Sequence, residues 1–170
     1  MKIVYADNNA TTKVADEVIA EMLPYLGELY GNPSSMHTFG GQVGKKIKQA
    51  RQRVADFINA DPDEIVFTSC GTESDNAAIN AAINAFPDKK HIITSNVEHP
   101  AINNLYKHLQ KTKGYEVTFV PVDEKGFLDL DLLYKSMSDN TAIVSLMWAN
   151  NETGVLFPIE EIAKKANEKG

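Results

Sequence analysis

The strongest constraint in this sequence is an alternation. Short, nearly unbroken apolar runs ("EIVFT", "HIITS", "YEVTFVPV", "AIVSLMW") take turns with stretches whose apolar residues recur every three or four positions. The runs are rich in Ile, Val and aromatic residues and too short for helices, so they read as strands buried on both faces. Between them lie helical patterns over 72–85, from Pro100 with Ile102, Leu105, Tyr106 and Leu109 on one side, near 129–137, and from Ile159 with Gly170 as its C-cap. Repeated strand–helix units predict an α/β fold, a mostly parallel sheet flanked by helices. Two helices come first. "ADEVIAEML" carries Val18, Ile19, Met22 and Leu23, with Asp16 as the expected cap and Pro24 disturbing its end. A longer amphipathic helix repeats Val43, Ile47, Ala50, Val54 and Phe57, with Lys45, Lys46 and Lys48 on a solvated face.

Ligands of such sheets gather beyond the carboxyl ends of the strands. The polar punctuation of the sequence falls there: "SCGTE" after one strand, "SNVEHP" after the next, "ANNETG" after the last. At Gly71-Thr72 a strand gives way to an alanine-rich helix, with Thr72 the expected N-cap. The unpaired N–H groups and positive end of such a helix suit a phosphate, although most such turns bind nothing. His99 precedes Pro100, which fits the first turn of a helix. Its imidazole can stack on a planar ligand or move a proton, or simply cap the helix. The amides of "WANNETG" can donate to a ligand oxygen, or form a polar turn with an asparagine in the left-handed conformation. A phosphate seat, a stacking ring and an amide donor on one edge describe a phosphorylated aromatic cofactor, and pyridoxal phosphate fits best.

Composition narrows the classes. Apolar residues make up 43% and charged residues 24% of the 170, ordinary for a soluble globular chain. With 17 Lys and Arg against 23 Asp and Glu the net charge is −6, which argues against nucleic acid or an anionic membrane as partner. No apolar run approaches a membrane span and the first residues lack a signal-peptide core, so the expected location is cytoplasmic. The single cysteine, Cys70, excludes an internal disulfide framework and is expected to be a small buried residue. The four histidines show no metal-ligand spacing.

Five stretches, "YADNNATT", "YGNPSSMHTFG", "FTSCGTESDNAAI", "VEHPAI" and "SLMWANNETG", resemble in order and spacing the NifS/IscS-type cysteine desulfurases, most closely the NifS branch. The resemblance implies an aminotransferase class V enzyme of PLP-dependent transferase fold type I (aspartate aminotransferase-like) that works as a homodimer. It implies conversion of L-cysteine to L-alanine, with the sulfur passed as an enzyme persulfide to an iron–sulfur scaffold protein. It assigns the phosphate seat to Gly71 and Thr72, ring stacking and acid–base work to His99, the bond to the cofactor's ring oxygen to Asn151, and the substrate side to Asn9. It divides the chain into a small-domain or substrate-side arm, 1–15, and part of the cofactor-binding large domain, 16–170. The family's Schiff-base lysine, substrate-gripping arginine and sulfur-accepting cysteine belong to motifs this sequence does not contain. The large domain is therefore expected to be incomplete and the chain inactive alone. The alternatives are another fold-type-I enzyme (a selenocysteine lyase or cysteine-sulfinate desulfinase), a nucleotide-binding α/β domain, and a non-catalytic fragment or interaction module. No Walker or G-x-G-x-x-G fingerprint supports the nucleotide reading.

Overall fold

The run "HIITS" forms a strand, β1 (His91–Ser95), buried along its whole length. In the computed structural model, which describes residues 3–169, β1 is the centre of a three-stranded sheet. β2 (Glu116–Val120) and β3 (Thr141–Ser145) flank it in the order β2-β1-β3, and both pairings are parallel. Alternate side chains of a strand face opposite sides, so β1 feeds two cores. Ile92 packs among Ile79 and Ile83 of α3 (Gly71–Ala85) and Ile102, Tyr106 and Leu109 of α4 (Pro100–Lys113). Ile93 packs on the other face with Leu133 of α5 (Leu130–Ser136), Met137 and Ile162 of α6 (Ile159–Asn167). Each such side chain, fully buried, contributes about 1.5–3 kcal/mol. This is the expected parallel sheet flanked by helices.

These elements form one compact unit, Thr68–Gly170; the other is Met1–Phe67. The latter holds α1 (Asp16–Gly27), α2 (Thr38–Ile58) and a single 3-10 turn, Pro62–Glu64. The α2 lysines 45, 46 and 48 are exposed, as expected of a solvated face. Gly40 lets a loop lie directly on α2: a Cβ there would stand 2.3 Å from the Asn32 carbonyl oxygen and 2.7 Å from Ser35 Cβ. His37 caps the helix, its Nδ1 accepting from Gly40 N–H at 3.2 Å.

Several local expectations need correction. "EIVFT" is not a strand. Ile65 is extended (φ −89°, ψ 121°), but among the described residues no neighbouring strand completes a ladder, and Val66 and Phe67 are exposed. Arg51 holds this stretch instead, donating to the Ile65 carbonyl and lying 4.8 Å over the Phe67 ring. Asp16 is the first residue of α1 rather than its cap, which is Ala15. Pro24 does not end α1. The proline forfeits only its own N–H, while the Glu28 and Leu29 N–H groups still donate to its carbonyl at 2.9 and 2.8 Å. The proposed cap Gly170 lies outside the described residues.

Candidate functional site

β1 and β3 are neighbours, yet the chain leaves them in opposite directions. After β1 it passes to α4 on one face of the sheet; after β3 it passes to α6 on the other. Two parallel strands whose exits diverge leave a crevice at their carboxyl ends, the usual ligand position in open α/β sheets. α3 reaches the same edge. Its C-terminus leads through 86–90 to the amino end of β1, so its first turn lies towards the carboxyl end. The Asp75 carboxylate in that first part of α3 acts electrostatically on Glu98 and Tyr106, just beyond β1 and in α4.

His99 stands at the crevice as the N-cap of α4. It is exposed, and its Nδ1 accepts the Ala101 N–H at 3.1 Å. Capping thus fixes the imidazole and leaves Nε2 to carry the proton of the neutral ring. The plainer role foreseen for His99 is realised, and it is compatible with ring stacking.

Beyond β3 the two asparagines divide the work. Asn150 is buried, and its Oδ1 accepts from Glu152 N–H (3.0 Å), Thr153 N–H (2.9 Å) and Thr153 Oγ1 (3.2 Å). That closes the turn. Asn151 is exposed, its amide donating only to Glu152 Oε1 at 3.1 Å. Neither takes the left-handed conformation anticipated for an asparagine here; Gly154 does, at φ 75°.

The start of α3 differs from expectation in two ways. The N-cap is Cys70 (φ −167°, ψ 170°), so Thr72 sits inside the first turn rather than before it. Cys70 is also exposed rather than buried: it caps the helix and belongs to neither core cluster. No side chain makes a capping bond to α3, and nothing lies within 4 Å of where a Gly71 Cβ would stand. The Glu73 N–H first, then the Ser69 hydroxyl and more weakly the Thr72 N–H, lower the Cys70 thiol below its ordinary value, against the opposing effect of burial. The first-turn donors thus favour a negative charge on the Cys70 sulfur. The Glu73 carboxylate adds to burial in opposing it. That carboxylate, lowered by the Ser69 hydroxyl and N–H, accepts both at 2.6 and 2.7 Å.

Gly71, Thr72, His99 and Asn151 thus lie on elements that end at one sheet edge. Asn9 belongs to the other unit, in an exposed turn where Ala10 N–H bonds the Asp7 carbonyl at 3.3 Å. Glu98 and Asn150, the buried polar residues beside His99 and Asn151, were not singled out from sequence. A carboxylate one step before a helix-capping histidine, just after a buried strand, was the available signal for Glu98.

The aminotransferase class-V family model matches residues 4–170. The chain belongs to the aminotransferase class-V family. Within it, the chain is 59% identical over 170 residues to a cysteine desulfurase of Trichormus azollae and 54% identical over 171 residues to the cysteine desulfurase NifS of Azotobacter vinelandii. Each alignment takes in 100% of this chain and 42% of the relative's length. A solved NifS-like protein superposes with a TM-score of 0.91 at 41% identity, covering 96% of this chain and 45% of that one. The class-V chain therefore has the NifS-like fold, and the resemblance carried by its five motifs holds along its whole length. Among the described residues, no helix is long and apolar enough to cross a membrane.

Proposed function

We propose that these residues build part of the cofactor pocket of a pyridoxal-phosphate-dependent cysteine desulfurase. The whole protein converts L-cysteine to L-alanine, passes the sulfur as an enzyme persulfide to an iron–sulfur scaffold protein, and works as a cytoplasmic homodimer. Residues 1–15 form the substrate-side arm, to which Asn9 belongs, and 16–170 form part of the large domain. What carries the reading is the pairing of a fixed His99 and an outward Asn151 at the diverging ends of two parallel strands, in a chain 59% identical to a cysteine desulfurase.

The residues fit the cofactor. The uncapped first turn of α3, open at Gly71, receives the phosphate through its N–H groups and the Thr72 hydroxyl. The His99 ring stacks on the pyridine and holds a proton at Nε2. The Asn151 amide donates to the ring oxygen. Pyridoxal phosphate supplies the electron sink for bond cleavage next to an amine-bearing carbon.

The test is titration of pyridoxal phosphate into the 170-residue chain, followed by 31P NMR and ring absorbance, with ATP in a parallel arm. A few charge-assisted hydrogen bonds set against the ordering of the ligand predict a Kd of about 1 mM. Displacement by inorganic phosphate and weakening by Thr72→Val support the assignment. ATP binding without pyridoxal phosphate binding overturns it.

A further inference from the structure

One buried side chain links the two loops at this edge. Glu98 follows β1 by three residues and is buried to 8% exposure. Its Oε1 accepts the Ser95 hydroxyl at 2.7 Å, from the last residue of β1. The same oxygen accepts the backbone N–H of Met147 at 2.9 Å, two residues beyond β3 and 49 positions along the chain. The Glu98 carbonyl in turn accepts the Asn103 side-chain amide at 3.0 Å, which ties this residue to the first turn of α4. A carboxylate is rarely buried without hydrogen-bond partners, and here one oxygen, Oε1, takes both bonds that join two loops which otherwise diverge.

We propose that Glu98 is a positioning residue that locks the loop after β1 to the loop after β3, so that the His99 ring and the Asn151 amide are presented as one unit. The inference rests on the reading of these two residues as cofactor contacts, but its geometric half stands without it. His99 is the next residue in the chain, and its capping bond to Ala101 leaves its position set by where the Glu98 backbone sits. On the other side, the Asn150 amide donates to the Met147 sulfur at 3.4 Å while its oxygen closes the turn bearing Asn151. Movement at Met147 N–H is therefore passed to Asn151. Val97 of one loop and Leu146 and Met147 of the other also pack against the Ile93 core, but among the described residues no other hydrogen bond links the two loops, so without the carboxylate the two contacts are held together less firmly before a ligand arrives. That looseness is what a preorganised site avoids.

The role belongs to the acceptor oxygen rather than to the charge. Burial pushes the Glu98 carboxyl above its ordinary value and the Asp75 carboxylate adds to this, against the opposing pull of the Met147 N–H and the Ser95 hydroxyl. A glutamine keeps the oxygen and drops the charge, so it discriminates.

The experiment uses the 170-residue chain as wild type, Glu98→Ala, Glu98→Gln and Ser95→Ala. Ligand-free NMR follows the His99 ring and the Asn151 side-chain amide, and a pyridoxal phosphate titration follows affinity and the absorption band of the bound ring. Glu98→Ala is expected to shift both the His99 and Asn151 resonances and to raise the pyridoxal phosphate Kd about tenfold, the equivalent of ~1.4 kcal/mol. Glu98→Gln should restore the resonances, the affinity and the absorption band, a rescue that general destabilisation does not give. Ser95→Ala, which removes one of the two bonds, should shift both residues part of the way, and it decides the matter with Glu98→Gln if Glu98→Ala fails to fold. The proposal is overturned if Glu98→Ala or Ser95→Ala leaves His99 and Asn151 in their wild-type environment, or if Glu98→Gln behaves as an alanine does. A wild-type chain that binds no pyridoxal phosphate would sink the cofactor reading alone, and the ligand-free spectra would then judge the lock.

Discussion

Tyr106 offers a perturbation whose sign is as informative as its size. The side chain is fully buried in the α3/α4 core, and among the described residues its hydroxyl has no hydrogen-bond partner. The Ser145 hydroxyl lies near enough to favour the phenolate but outside bonding geometry, and burial, the larger influence, pushes the phenol up to about 12. The group is therefore neutral at any ordinary pH. A buried polar group left unpaired costs about 1–3 kcal/mol of desolvation. Tyr106→Phe removes that penalty. The void left by one oxygen, roughly 15 Å³, costs about 0.4 kcal/mol at ~24 cal/mol per Å³. The net expectation is a gain of about 1–2 kcal/mol. With a slope of about 2 kcal/mol per molar urea, the unfolding midpoint should rise by about 0.5–1 M. Far-UV circular dichroism follows the transition, since the single tryptophan, Trp148, is 71% exposed in the folded chain and its fluorescence changes little on unfolding. A midpoint that falls by a similar amount would refute the reasoning, because it would mean the hydroxyl is bonded, to Ser145 or to trapped water.

Two further predictions concern titration. His91 is buried at the amino end of β1, its ring nitrogens 2.9 Å from the Thr141 and Thr118 hydroxyls. Burial lowers its pKa, partly opposed by Glu116, so the folded state keeps the ring neutral while the unfolded chain protonates it near pH 6.5. Its stability contribution is complete above about pH 6.5 and is lost as pH falls from there through the lowered folded value. His91→Gln should flatten this limb in urea midpoints measured against pH, and an unchanged wild-type-minus-variant difference would reject the assignment. Glu98, raised from its ordinary value, runs the other way, with its ionisation opposing the fold as pH rises, and it cancels in that difference. At Cys70, a phosphate anion on the first turn of α3 competes with the thiolate for the Glu73 and Thr72 N–H groups. Inorganic phosphate should therefore slow alkylation of Cys70 by iodoacetamide relative to chloride of equal ionic strength, and equal rates would count against the phosphate seat.

The sequence by itself determined the order and kind of most elements. Helical periodicity and short β-branched runs are local properties, written in neighbouring residues, and β1, β2, β3, α2 and α4 follow them. The loops that end at the carboxyl edge were legible for the same reason, since polar punctuation after a buried strand is also local. Tertiary structure decided the rest. Whether "EIVFT" becomes a strand depends on a neighbour to pair with, and its own residues cannot supply one. Whether Cys70 is covered depends on what packs around the cap of α3. Only the turn's geometry shows that Asn150 is the closing residue and Asn151 the outward one. Glu98 is the clearest case: its partner is a backbone N–H 49 residues away, a contact that exists only once β3 has settled beside β1. Local pattern specifies what a segment can be, and which distant group meets it is settled by packing.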